Sequence, residues 1–170
     1  MTFMIRGAKD SDQEVHYFTS MFDLYALPND FPGFAEASTM KDYNQVAKLE
    51  DAFGKDINCY KFIPYIQLHE FEALVLCDID GLKDSYPNAA DNLGKLKDEI
   101  TSKYGENMEL VDNSVQTAPS KRIIKALKGE YHYDKPKSGT EVTDKIGVDA
   151  LRAKCQHFND WLTTIEKTCK

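Results

Sequence analysis

The sequence predicts an α/β fold, and three observations support this prediction. Two runs, residues 15–22 and 61–67, are rich in β-branched and aromatic side chains, as expected of buried strands. Between them, residues 34–55 carry apolar side chains at intervals of three and four, which indicates an amphipathic helix that ends near Gly54. Strands joined through such a helix are parallel, so we expect a partial parallel sheet with flanking helices.

The remaining chain is predicted to be mostly helical. The pattern indicates helices at 69–77, 91–104, 117–128 and over 140–169, a loop at 105–113 and an exposed, turn-rich stretch at 129–139. We therefore expect an α/β core at 1–80 and a helical C-terminal part at 81–170 that packs on the same domain.

Composition limits the classes of function. The 170-residue chain has a formal net charge of −7, which argues against a protein that coats nucleic acid through bulk charge. An enzyme that contacts nucleic acid locally and neutralises phosphates with a divalent cation remains compatible with this charge. No apolar run approaches the length of a membrane span and no signal-peptide pattern is present, so we expect a cytoplasmic protein without membrane contact. Four scattered cysteines lack metal-ligand spacing, and we expect neither structural zinc nor disulfides.

Ionisable side chains follow both predicted strands. Asp23 follows the first, and His69, Glu70 and Glu72 follow the second. The carboxyl ends of parallel strands lie at one sheet edge, so the topology predicts that these four side chains lie together. On a helix His69 and Glu72 would share a face, and such a group is typical of an active site. The helix dipole alone also favours acids in a first turn, and the turn-rich loop at 25–34 either lines this site or only connects elements.

A second chemically suggestive stretch begins the helix at 117–128. A residue able to cap the helix and a proline in the first turn mark its start. Ser120, Lys121 and Arg122 follow, and a hydroxyl, two cations and free backbone N–H groups at a helix start can bind phosphate. The alternative is a basic helix end that faces solvent.

Four longer motifs are also present. They are MFDLYALPNDFPG, KFIPYIQLHEFEAL, TAPSKRI and LRAKCQHFNDWL, and they occur in this order between about Tyr17 and the C-terminus. With these motifs the sequence resembles the DUF4276 family, an uncharacterised bacterial family grouped with Toprim-like folds. The resemblance implies a compact, mostly parallel α/β unit of the Toprim type. Such domains bind Mg²⁺ through a glutamate after the first strand and an Asp-x-Asp pair after a later one, and they cut, join or synthesise nucleic acid strands.

The resemblance implies a metal site that departs from the Toprim pattern. Asp23 takes the place of the first aspartate of the pair, whereas Tyr25 stands where the second is expected. Asp30, Glu70 and Glu72 are candidates to supply the missing oxygen ligands for Mg²⁺ or Mn²⁺.

A second departure concerns the first metal ligand. Family members begin with a strand that carries a VEGxTE-type motif, and this motif is absent here. We therefore expect Met1 to lie past the family's first strand and helix, so that half of the site is missing. A sheet edge would then be exposed to a partner or to a second copy of the chain.

These residues and the resemblance lead to two functional hypotheses. The first is a Mg²⁺-dependent phosphodiesterase acting on DNA or RNA, with His69, Glu70 and Glu72 as catalytic groups. The resemblance places such proteins in a phage-defence setting with an ABC/SMC-like or OLD-type ATPase. The second is a non-catalytic regulatory or interaction domain of Toprim-like fold. A scaffold in which the acids only cap helices also remains open.

Overall fold

The computed structural model describes residues 15–111, 116–128 and 132–169, and the chain has an α/β fold. It divides into two compact units. Within the described residues, the first unit comprises 15–67 and 161–169, and the second comprises those of 68–160. The two units are divided after Gln67 and again before Trp161, whereas the sequence predicts a boundary after residue 80.

Four short strands form two parallel pairs in the first unit. β1 (Phe18–Thr19) pairs with β3 (Phe62–Ile63), and β2 (Phe22–Asp23) pairs with β4 (Ile66–Gln67). The prediction of parallel strands joined by a helical crossover is therefore confirmed.

A side chain bridges the gap between the two strand pairs. Pro64 has no backbone N–H to donate to the ladder. At the next residue, the Ser20 Oγ accepts a hydrogen bond from the Tyr65 N–H (3.0 Å) and donates one to the Tyr65 carbonyl (3.1 Å). The prediction of a single strand over 15–22 was wrong, because the ladder is interrupted between β1 and β2. The structure also places Asp23 within β2 and not in a loop after the strand.

The crossover consists of two helices, α1 (Phe34–Ala37) and α2 (Asp42–Ile57). The expectation of one helix over 34–55 was wrong, because Asp42 has a φ of 52° and breaks the helical path. Gly54 does not end α2, which continues to Ile57 and ends at Asn58 in the left-handed conformation.

The apolar face of α2 packs in the core of the first unit, as its spacing predicts. Val46, Leu49 and Phe53 are buried, and the Phe53 ring meets the Phe62 ring edge-on with centroids 5.1 Å apart. A short 3₁₀ helix, Leu24–Ala26, follows β2.

The second unit is helical. Its helices are α3 (Glu72–Val75), α4 (Gly81–Ser85), α5 (Ala90–Tyr104), α6 (Pro119–Ala126), α7 (Thr140–Ile146), α8 (Val148–Lys154) and the start of α9 (Gln156–Thr168). Short 3₁₀ helices occur at Leu76–Asp78, Pro87–Ala89 and Met108–Leu110, and one π-helical turn occurs at Lys135–Gly139.

Three predictions for the second unit were wrong. The helix expected from residue 69 begins at Glu72, because His69 has a φ of 64° and cannot belong to a right-handed helix. The loop at 105–113 contains a 3₁₀ helix whose Glu109 is fully buried. In the stretch expected to be exposed, 129–139, the described residues include the buried Tyr133 and Ser138.

No helix in the described ranges combines the length and apolar character needed to cross a membrane. The four cysteines are free thiols, and the buried Cys77 and Cys155 have their sulfur atoms 3.4 Å apart.

Candidate functional site

The three residues His69, Glu70 and Glu72 form what we call the acidic corner of the second unit. They lie at the entry to α3, and the left-handed backbone at His69 turns the chain there. His69 is buried, and because it precedes α3 it does not share a helical face with Glu72.

Glu70 connects the acidic corner to the start of α6. Its Oε2 accepts a hydrogen bond from the backbone N–H of Ser120 at 3.0 Å, across 50 residues of sequence. A carboxylate at this position satisfies one of the free N–H groups at a helix start and lies at the positive end of the helix dipole. The two stretches that the sequence identifies as chemically suggestive therefore meet in the structure.

Glu72 is a buried carboxylate paired with a lysine. The Lys135 Nζ lies 3.1 Å from its Oε1 and 3.2 Å from its Oε2, and the Lys135 side chain is half-exposed. Burial raises the pKa of the Glu72 carboxyl above its ordinary value, and the bond and charge of Lys135 oppose that rise only in part. Lys135 was not predicted as part of this site, because the ion pair spans 63 residues of sequence.

Two tyrosines extend this polar group. The Tyr86 and Ser138 hydroxyls are hydrogen-bonded at 2.7 Å. Tyr133 is buried, and burial, together with the charge of Glu72, raises the pKa of its hydroxyl. The Tyr133 hydroxyl is therefore held in its neutral form.

The three residues predicted to bind phosphate lie in different environments. Ser120 is buried and its N–H binds Glu70, whereas Lys121 is exposed. Arg122 has a side chain only 10% exposed, and its Nη1 contacts the Glu99 carboxylate at 2.8 Å. Phosphate binding by these three residues stays a prediction.

Lys121 and Arg122 instead line a groove of about 410 Å³ between α5 and α6. We call it the basic groove, because six of its twelve lining residues are Lys or Arg and one is acidic. The lining residues are Asn92, Lys95, Leu96, Glu99, Lys103, Gln116, Thr117, Lys121, Arg122, Lys125, Ala126 and Lys128. The sequence prediction missed all of these basic residues except Lys121 and Arg122.

The two remaining predicted metal ligands, Asp23 and Asp30, belong to the first unit. Asp23 is half-buried in β2, in register with Gln67 of β4, and it lines an apolar cavity of about 430 Å³ with Phe22, Leu27 and other residues. Asp30 is exposed and is not among the residues lining that cavity. Their participation in a metal site stays a prediction.

The acidic corner matches a divalent cation in donor chemistry but offers few ligands. Glu70 and Glu72 provide carboxylate oxygens, and the ammonium group against both oxygens of Glu72 indicates that this position accepts a cation. Among the residues that the structure describes, no three His, Cys, Asp or Glu side chains lie close enough to hold a metal ion. A Mg²⁺ ion needs only one or two carboxylates when waters and substrate phosphates complete its shell.

Comparison with known proteins identifies a family without a known activity. The family model DUF4276, described as a domain of unknown function, matches residues 2–166. No curated protein and no solved structure matches the chain.

Proposed function

This chain belongs to the DUF4276 family, and on the contacts of its acidic corner we propose that it is a divalent-metal-dependent phosphodiesterase acting on DNA or RNA. The observation that carries the proposal is the 3.0 Å hydrogen bond from the Ser120 N–H to Glu70. It places the Glu70 carboxylate, which has His69 and Glu72 close to it in sequence, at the start of the helix whose lysines and arginine line the basic groove. Carboxylates that hold a divalent cation are what metal-assisted phosphodiester hydrolysis requires.

Each residue of the acidic corner has a role in this proposal. Glu70 and Glu72 supply oxygen ligands to Mg²⁺ or Mn²⁺, which when bound lowers the pKa of water and offsets charge on the phosphate. His69 accepts a proton or orients a ligand. Lys135 neutralises Glu72 when no divalent cation is present, and its half-exposed side chain leaves room for it to move aside.

Calorimetric titration with Mg²⁺ and Mn²⁺ tests the metal site. We expect the parent chain to bind and Glu70→Gln and Glu72→Gln to weaken binding at least tenfold. Glu141→Gln, which removes an exposed acid of α7, should leave affinity unchanged. Asp23→Asn and Asp30→Asn test the two ligands predicted from sequence. Circular dichroism of each variant verifies that it remains folded.

A cleavage assay tests the chemistry. Labelled single- and double-stranded DNA and RNA should be cut by the parent in Mg²⁺ or Mn²⁺, but not in EDTA or by the double variant of Glu70 and Glu72. Absence of metal binding at millimolar concentration, or cleavage that persists in EDTA, would contradict the proposal.

A second candidate function is a non-catalytic interaction domain, and the Glu72–Lys135 ion pair favours it. Both Glu72 oxygens and one Glu70 oxygen already have protein partners, so the acidic corner can serve to hold α3, α6 and the Lys135–Gly139 turn together. In that case the chain would act in the cytoplasm with an ATPase of the ABC/SMC-like or OLD type, or as a homo-oligomer. Nucleic acid binding without cleavage, together with no metal binding, is the result that supports this candidate.

A further inference from the structure

We propose that the basic groove between α5 and α6 binds the phosphodiester backbone of nucleic acid along its length. This inference goes beyond the proposed function and does not require catalysis. It rests on four observations about the second unit. They are the concentration of basic residues in the groove, the ion pair between its two helices, the lysines that form no salt bridge, and the length over which these lysines extend.

Basic side chains are concentrated in the groove against the overall charge of the chain. The whole chain has 21 Lys and Arg residues and 28 Asp and Glu residues. The groove alone collects six basic residues and a single acid. A local positive surface of this kind attracts polyanions even when the net charge of the protein is negative.

An ion pair joins the two helices that form the groove. Glu99 of α5 and Arg122 of α6 form a 2.8 Å ion pair across it. Arg122 also donates from Nε to the Thr117 carbonyl (2.8 Å) and from Nη2 to the Tyr104 hydroxyl (3.3 Å). Four of its contacts are thus internal, counting the 5.7 Å approach of its guanidinium to the Tyr104 ring. We infer that Arg122 and Glu99 set the spacing of the two helices.

The lysines, by contrast, are available to a ligand. Five exposed lysines line the groove: Lys95, Lys103, Lys121, Lys125 and Lys128. None of them forms a salt bridge with a carboxylate in the described part of the chain. Exposed cations without acidic partners contribute little to folding. When such lysines neutralise phosphates, the counterions condensed on the nucleic acid are released, which favours binding.

The lysines form stripes and do not converge on one point. Lys121 and Lys125 are four residues apart, which places them along one face of α6, and Lys128 lines the same groove two residues after that helix ends. Lys95 and Lys103 flank Glu99 on α5 at intervals of four. Eight residues of helix cover about 12 Å, the length over which one strand of B-form DNA presents three or four phosphates. An extended polyanion therefore fits the groove better than a single phosphate group.

Fluorescence anisotropy in EDTA tests this proposal separately from catalysis. The probes are fluorescein-labelled 20-nucleotide single- and double-stranded DNA and RNA, measured at several KCl concentrations from 50 mM upward. We expect the parent to bind at least one of these probes, and the four probes distinguish DNA from RNA and single from double strands. Failure of the nuclease assay would leave this binding in place, so the two proposals fail separately.

Charge reversal of one lysine on each helix is the decisive variant. Lys95→Glu with Lys125→Glu should weaken binding at least tenfold, and should reduce the slope of log K against log salt by about 1.5. Lys41→Glu with Lys167→Glu makes the same net charge change at exposed positions of the first unit and should lose less than threefold. Lys95→Gln with Lys125→Gln provides a milder variant if the reversed chain does not fold.

Three results would overturn the proposal. They are no binding by the parent at 50 mM KCl, an equal loss in the Lys41 and Lys167 control, and competition by inorganic phosphate as effective as by oligonucleotide at equal phosphate concentration. The last result would indicate a site for single phosphate groups and not for an extended backbone.

Discussion

The buried carboxylate of Glu109 accepts a hydrogen bond from the backbone N–H of Phe158, with 2.9 Å between Oε1 and N. Its other oxygen accepts from the His157 N–H at 2.8 Å, so one acid satisfies two free N–H groups in the first turn of α9. A charged acceptor at a helix start is also favoured by the dipole. This bond fixes the 3₁₀ helix that contains Glu109 to the start of α9, across 49 residues of sequence.

Replacement of Glu109 is expected to destabilise the protein. Glu109→Ala leaves two backbone N–H groups without their acceptor and opens a cavity, and it should lower the free energy of unfolding by about 2–4 kcal/mol. Glu109→Gln keeps one acceptor and should lose about half as much. Urea unfolding followed by circular dichroism measures both. The control, Glu106→Ala, removes a nearby exposed acid and should cost less than about 0.5 kcal/mol; an equal loss in the control would contradict the capping role.

Ser20 is expected to be necessary for the strands of the first unit. Its hydroxyl replaces a rung of the parallel ladder by bonding both the N–H and the carbonyl of the buried Tyr65. Ser20→Ala should therefore cost about 1–3 kcal/mol, since two buried polar groups lose their partner. Ser38→Ala, at an exposed position after α1, should cost about 0.5 kcal/mol or less. Equal midpoints for the two variants in urea would show that the Ser20 bridge contributes no net stability.

Local patterns predicted much of the first unit, because their signals lie close together in sequence. The parallel pairing that the strand–helix–strand order predicts is present, although the serine that bridges the interrupted ladder beside Pro64 could not be anticipated. The apolar spacing of α2 likewise matches its buried face. The break before α2 was missed, because it depends on a positive φ at Asp42, which this residue type only modestly favours.

Long-range partners explain what the sequence did not reveal about the candidate site. Glu70 and Glu72 were identified from their position after a strand, but their partners Ser120 and Lys135 lie 50 and 63 residues away. No local pattern specifies such pairs. The same limit applies to the basic groove, since its two lysine stripes come from separate helices and only their packing brings them to one groove.

Gly33 is a position where a side chain cannot be accommodated. It has a φ of 76°, and an added Cβ would lie 2.6 Å from the Ala52 Cβ in α2. Gly33→Ala should therefore lower the free energy of unfolding by about 2–4 kcal/mol through strain and overlap. Gly54→Ala is the matched control, since it lies within α2 and its Cβ would make an ordinary 3.6 Å contact with Pro64.

The Gly54→Ala control is expected to be neutral or to stabilise the protein by up to about 1 kcal/mol, because alanine has the higher helix propensity. Thermal and urea unfolding of both variants provide the comparison. A Gly33→Ala variant as stable as the parent would mean that the loop at 25–34 can shift away from α2.

Removal of Lys135 distinguishes the two candidate functions of the acidic corner. Lys135→Met leaves the buried Glu72 carboxylate without its counter-charge and should cost about 1–3 kcal/mol, less than for a fully buried pair because the lysine is half-exposed. If the corner binds a divalent cation, millimolar Mg²⁺ or Mn²⁺ should restore part of this loss in the variant and stabilise it more than the parent, because the ion takes the position of the ammonium group.

Thermal unfolding with and without the metal measures this difference, and Lys137→Met, at an exposed lysine of the same turn, is the control. The control should lose little stability and respond to metal as the parent does. If Lys135→Met loses stability and no divalent cation restores it, the Glu72–Lys135 pair has a purely structural role. The interaction-domain function is then favoured over the phosphodiesterase. A metal response that is present in the parent and larger in Lys135→Met indicates that the lysine and the cation compete for the same carboxylate, as the phosphodiesterase proposal requires.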